Sequence, residues 1–241
     1  MHRFWNFLIL IRLLKNQKNT AWVYMIAFKH ILMLARSRDL LSADLFAGYR
    51  LRSEFVARDY LTETEIRRLM LLAPTDRTQR LVLDAFLFSC FTGLSYIDIR
   101  QLKPANIRYT QGQLWIGTTR RKTGSEVYVR LFAVPNAILS RYLTDAADEP
   151  IFALPSNGWC NACLRRLLPE AGIVRPITFH VARHTFATTI TLSQGVAIET
   201  ISKLLGHRNI RTTQIYAAVT HAKLEGDMER LSRQLDACYR L

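Results

Sequence analysis

Four side chains in the last third of the sequence have the types and spacing to act on a phosphodiester. In the run Thr178-Phe179-His180-Val181-Ala182-Arg183-His184-Thr185-Phe186-Ala187, a helix capped at Thr178 would carry His180 and Arg183 three residues apart. At that spacing they share a face, about 60° from each other. Leu204-Leu205-Gly206-His207 reads as an apolar helix stopped by glycine, with His207 in the loop just beyond. Tyr216 then lies at the far end of another short helical stretch. An arginine fork grips non-bridging oxygens, imidazoles give or take protons, and a phenol can attack phosphorus.

The elements that must position these groups are legible as periodicities. Helical spacing runs through Thr20–Arg36, Thr64–Leu72, Arg80–Phe91, Ile138–Tyr142, Asn161–Leu168, His180–Leu192, Glu199–Leu205 and Lys223–Tyr239. Period-two alternation marks Ile107–Thr110, Gln113–Gly117 and Glu126–Leu131, with turns at Gln111-Gly112 and Thr123-Gly124-Ser125. The expected fold is therefore α+β, mainly helical, with a small antiparallel three-stranded sheet. Thr62 and Glu65 have capping-box spacing and open a helix just after a seam near Arg58-Asp59-Tyr60.

Composition narrows the function classes. With 241 residues and 49% apolar side chains, the chain can bury a substantial core, so disorder is excluded for its bulk. The net charge is +14, which favours a polyanionic partner, nucleic acid or an anionic membrane surface. Residues 1–60 alone hold ten basic and four acidic side chains, so a quarter of the chain carries nearly half of the excess. A spanning helix needs about 20 apolar residues. The apolar stretch Phe4–Leu14 is shorter and is interrupted by Asn6 and Arg12, and Lys15-Asn16-Gln17-Lys18 after it is a poor cleavage site. Four scattered cysteines suit a reducing, cytoplasmic setting. Cys160-Asn161-Ala162-Cys163 has zinc-like spacing but no second pair, so no metal is expected.

His180-x-x-Arg183-His184-Thr185-Phe186-Ala187-Thr188, Leu205-Gly206-His207 and Thr212-Thr213-x-Ile215-Tyr216 resemble the C-terminal signature of the tyrosine recombinases, the phage-integrase family. Upstream, Phe91-Thr92-Gly93-Leu94 and Lys122-Thr123-Gly124 resemble its earlier boxes, so ordered matches span about residues 61–220. The resemblance implies a catalytic domain at 60–241 and a shortened helical core-binding segment at 1–57. It implies that Tyr216 attacks a scissile phosphate of double-stranded DNA, leaving a 3′-phosphotyrosyl link and a free 5′-hydroxyl, with no nucleotide cofactor or metal. A phenol is only about 0.1% ionised at pH 7, and His180 fits as its base. Lys122, like the family's hairpin lysine, would protonate the leaving oxygen, while Arg183 and His207 would stabilise the pentacoordinate phosphate. It further implies a cytoplasmic, nucleoid-associated enzyme that works as a homo-oligomer, a tetramer on DNA, with the final helix docking on a neighbour.

One position departs from the pattern. Where the family reads Thr-Gly-Leu-Arg, this chain reads Thr92-Gly93-Leu94-Ser95, a deviation that resembles integrases of certain bacterial mobile elements. Losing one such donor costs about 10²–10³ in rate. Arg100 would sit about 140° round a helix from residue 95. Arg120 and Arg121, beside Lys122, are better placed to fill in. With Arg208 these arginines are the candidate DNA contacts. Two other readings use the same letters: a DNA-binding remnant or accessory protein that no longer recombines, and a relaxing enzyme of the type IB topoisomerase kind.

Overall fold

A computed structural model describes residues 18–48, 50–52, 54, 59–144, 146, 148–216 and 221–239. The stretch Phe4–Leu14 lies outside them. The chain divides into two compact units, Met1–Ala57 and Arg58–Leu241.

In the first unit, helix α1 (Lys18–Ser37) covers the periodicity expected from Thr20 to Arg36. Met25 and Phe46 are buried, and the Phe28 and Phe46 rings meet edge-on at 6.3 Å. Asn19 ties the chain to its own later segment. Its Nδ2 donates to the Glu54 carbonyl at 3.0 Å, and its Oδ1 accepts from the Glu54 N–H at 2.8 Å. Much of the rest of α1 is apolar and exposed, including Val23, Tyr24, Ile31, Met33 and Leu34.

The second unit opens with α2 (Glu63–Met70), whose start is the expected capping box. Thr62 N–H donates to Glu65 Oε2 at 2.8 Å, and Thr62 Oγ1 accepts from the Glu65 N–H. Next comes α3 (Arg77–Thr92), which starts at an Asp76 cap and is buried without a break from Val82 to Cys90. So continuous a buried run makes α3 the centre of the main core, where Phe86 meets Phe179 and Phe88 meets Phe152. A five-residue helix, α4 (Tyr96–Arg100), follows at once.

The sheet forms where alternation placed it. Strands β1 (Ile107–Thr110), β2 (Gln113–Thr119) and β3 (Glu126–Arg130) pair antiparallel in sequence order. Thr110 faces Gln113 across the two-residue turn Gln111-Gly112, where both residues have positive φ (50° and 74°). That is the backbone a tight hairpin needs. Ile116, Val127 and Val129 face inward.

The remaining helices are α5 (Ala133–Leu139), α6 (Asn157–Glu170), α7 (Phe179–Thr185), α8 (Ile198–Leu204), α9 (Arg211–Gln214) and α10 (His221–Cys238). The helix expected from His180 to Leu192 is not continuous. α7 gives way to a π-helical stretch, Phe186–Thr191, and then to one 3₁₀ turn, Leu192–Gln194. The cause is the run Thr188-Thr189-Ile190-Thr191. β-Branched residues crowd the preceding turn, and threonine hydroxyls compete for backbone carbonyls. Thr191 Oγ1 donates to the carbonyls of both Phe186 and Ala187, each at 2.9 Å.

No helix among the described residues is long and apolar enough to cross a membrane. Among the described residues, no three His, Cys, Asp or Glu side chains gather as metal ligands. Cys160 and Cys163 are free, buried thiols, and burial pushes Cys160 up to about 11.

Candidate active site

Arg183 is buried and held from two sides. Its Nη1 donates to the Gly93 carbonyl at 2.8 Å and its Nη2 to the Leu205 carbonyl at 2.5 Å. Gly93 can play this part because it has no side chain. It caps α3 at φ 69°, and a Cβ there would lie 2.5 Å from the Phe186 ring. The Thr-Gly-Leu box thus delivers a carbonyl to Arg183, and these two bonds leave other guanidinium donors on the same group.

α8 ends as the sequence implied. Gly206 adopts φ 62°, and the N–H groups of Gly206 and His207 close the helix onto the carbonyls of Lys203 and Ser202 at 2.9 and 3.0 Å. Leu205 shares a small apolar cluster with Phe186, Ala187, Ile201 and Tyr216. His207 is half-buried, and its Nδ1 lies 2.8 Å from Thr213 Oγ1. Burial, and then the charge of Arg120, pull its pKa below the usual histidine value. Both causes favour the uncharged imidazole.

The β2–β3 hairpin reaches the same turn. A Cβ on Gly206 would lie 2.7 Å from Val127 Cγ2 and 2.8 Å from Arg120 Cγ, so the Arg120 stem runs directly across it. Thr123 Oγ1 donates to the Gly206 carbonyl at 3.3 Å. The Arg120 guanidinium ends on Asp98 Oδ2, both groups being almost fully buried. That same carboxylate oxygen accepts from Ser95 Oγ at 2.5 Å and from Ser95 N–H at 3.2 Å, while Arg121 N–H donates to Oδ1 at 3.2 Å. Of the arginines considered for the place vacated at residue 95, Arg120 is the one whose guanidinium shares a hydrogen-bond partner with Ser95. Desolvation lowers its pKa and Asp98 opposes the shift.

Other candidates lie further out. Lys122 and Arg121 are exposed on the hairpin, and Arg100 is exposed at the end of α4. Arg208 is also exposed; its Nη2 would be 3.6 Å from a Cβ on Gly124, which puts it beside the hairpin tip. His180 is exposed at the start of α7, its ring edge-on to His184 at 4.5 Å between centroids. The Tyr216 hydroxyl is buried and meets His184, with Oη 2.7 Å from Nδ1. His184, which follows Arg183 in the sequence, is buried against the phenol. Asp98 was given no role in the sequence, although Ser95-x-x-Asp98 has capping-box spacing.

Residues 59–223 match the model of the phage integrase family. The chain belongs to the phage integrase family. Its relatives include the tyrosine recombinase XerA of Pyrococcus furiosus, 30% identical over 185 residues that cover 70% of this chain and 60% of that protein. XerD of Listeria monocytogenes is 45% identical over 149 residues, covering 56% of this chain and 48% of that one. The chain spans about half to three fifths of the length of these relatives. Among solved structures, the integrase of the transposon Tn1549, in complex with circular intermediate DNA, shares the fold at a TM-score of 0.68 and 16% identity. That match covers 92% of this chain and 82% of that one. A lambda integrase dimer bound to a core site matches at 0.65 and 17%, covering 83% of this chain and 73% of that one.

Proposed function

We propose that this chain cleaves and rejoins duplex DNA as a site-specific recombinase, through a 3′-phosphotyrosyl intermediate formed on Tyr216. One observation carries the reading: four candidate groups depend on a single turn. The Leu205 carbonyl fixes Arg183 and its side chain packs with Tyr216, Gly206 seats Arg120, and His207 follows. In this reading Arg183 grips the non-bridging oxygens of the scissile phosphate, and His207 donates a ring N–H to the same group. Arg120 supplies the second positive charge that Ser95 lacks, while Arg100, Arg121 and Arg208 meet the flanking backbone. A histidine of α7 serves the phenol as base, and Lys122 protonates the departing 5′ oxygen. The tyrosyl ester conserves the phosphodiester, so rejoining draws on no nucleotide.

Ser95 by itself would favour a DNA-binding relative that no longer recombines. The shared Asp98 bond between Ser95 and Arg120 favours the active reading. Incubation with a nicked half-site duplex, whose 5′ end diffuses away after cleavage, separates the two. The wild type should trap a covalent complex mapped to Tyr216. Tyr216→Phe should keep its DNA affinity and lose capture, and capture by that variant would overturn the assignment.

We also propose that α10 joins protomers on DNA. Met228, Leu231 and Leu235 lie at helical spacing and are 44–57% exposed, an apolar stripe. Replacing Leu231 and Leu235 by Glu should leave single-site binding intact and abolish the multimer in sedimentation on two-site DNA. A multimer that survives both changes would place the interface elsewhere.

A further inference from the structure

Among the histidines of this site, His184 is the one whose nitrogen reaches the phenol. Its Nδ1 stands 2.7 Å from Tyr216 Oη, a normal O–H···N hydrogen-bond length. The imidazole is only 5% exposed, and the rings of His180 and Tyr216 stand 4.5 and 5.3 Å from it, centroid to centroid. His180, by contrast, is exposed and meets His184 edge-on.

We infer that His184 is the general base that takes the Tyr216 proton, a deepening that rests on the proposed role of Tyr216 as nucleophile. A phenol can donate to Nδ1 only if that nitrogen holds a lone pair, so the proton of neutral His184 resides on Nε2. In the forward step the Oη–H bond breaks and its proton passes to Nδ1. Oη then forms a bond to the scissile phosphorus, the bond from phosphorus to the 5′ oxygen breaks, and the leaving oxygen takes a proton from Lys122. Religation runs the same transfers backwards, with His184 returning its proton to the departing phenolate. Among the described residues, the ionisable groups beside His184 include His180 and Arg183 from α7 and Tyr216 from beyond α9. Arg183 next to it in sequence directs its own fork away, to the carbonyls of Gly93 and Leu205. His180 then acts as the exposed neighbour through which the ring pair meets solvent.

The test uses the full chain and single-turnover cleavage of nicked half-site DNA. His184→Asn puts an amide oxygen near the place of Nδ1, which keeps an acceptor for the hydroxyl but not a base. It should slow cleavage by about 10²–10⁴-fold, the usual worth of a positioned general base, with DNA affinity unchanged. Its rate should climb with pH as solvent ionises the phenol, whereas the wild type levels off. A substrate with sulfur in place of the 5′ bridging oxygen, whose thiolate leaves without protonation, should rescue Lys122→Ala and leave His184→Asn slow. His184→Asn cleaving within threefold of wild type, or rescued by that substrate, would overturn the inference, as would His180→Ala carrying the whole loss. Nitrogen NMR of the wild type gives a reading independent of any variant: an unprotonated Nδ1 on His184 supports the inference, and a protonated one refutes it. Covalent capture by Tyr216→Phe would instead refute the underlying reading.

Discussion

Arg120→Ala should damage this protein twice, and the two effects are separable. Arg120 and Asp98 are 6% and 5% exposed and bonded to each other, so truncating the arginine strands a carboxylate in the interior. Breaking one side of such a pair costs about 3–5 kcal/mol. At roughly 2–4 °C per kcal/mol for a domain of this size, the melting temperature should fall by about 6–20 °C. The second effect is on chemistry. If Arg120 supplies the charge missing at Ser95, cleavage of saturating half-site DNA by the folded fraction should fall about 10²–10³-fold. Arg120→Lys keeps a charge opposite Asp98 but loses the planar fork, so it should recover much of the melting temperature and little of the rate. The measurements are a thermal melt and single-turnover cleavage at a temperature where each variant is folded. An Arg120→Ala protein that melts within about 2 °C of wild type would refute the buried-pair argument. One that is destabilised yet cleaves at the wild-type rate when folded would refute the catalytic one.

Gly206→Ala should cost about 2–5 kcal/mol, combining a left-handed backbone with overlap against Val127 and Arg120; urea denaturation showing no loss would mean the turn gives way easily. Glu65 yields a pH prediction. Hydrogen bonding to Arg175 holds its carboxyl at about 2 against an ordinary 4.5, so folding favours the ionised form. That stabilisation is complete above pH 4.5 and is lost as the pH falls through about 2. Glu65→Gln should therefore be less stable than wild type at neutral pH, with the gap in urea midpoints closing towards pH 2; a gap constant with pH would count against it.

What was legible in the sequence follows from how local each determinant is. The Thr62 cap, the Gln111-Gly112 hairpin and the Gly206 stop are set by a few neighbouring residues, and all three stand where spacing put them. The break after Thr185 was harder to read, because the apolar periodicity continues through Phe186 and Ile190 while the threonine hydroxyls redirect the backbone. α4 is five residues long, too short to leave a periodic trace. Spacing set Arg100 aside but could not choose between Arg120 and Arg121, since that choice rests on Asp98 lying between two segments 25 residues apart, Ser95 and Arg120. The contact of His184 with Tyr216 was not legible for a related reason. Its partner is 32 residues away, and nothing near it in sequence shows that the chain folds back to put a phenol on that ring.

Leu61 has one more bearing on the whole. Its N–H donates to Thr185 Oγ1 at 2.9 Å and its carbonyl accepts from Thr189 Oγ1 at 2.5 Å, so both polar groups of one peptide residue are pinned to the segment that carries Arg183 and His184. The thread entering the second unit is thereby bolted to the rod bearing those two side chains. Thr185 and Thr189, which take those two bonds, follow Arg183 in the sequence where α7 gives way to its wider coil.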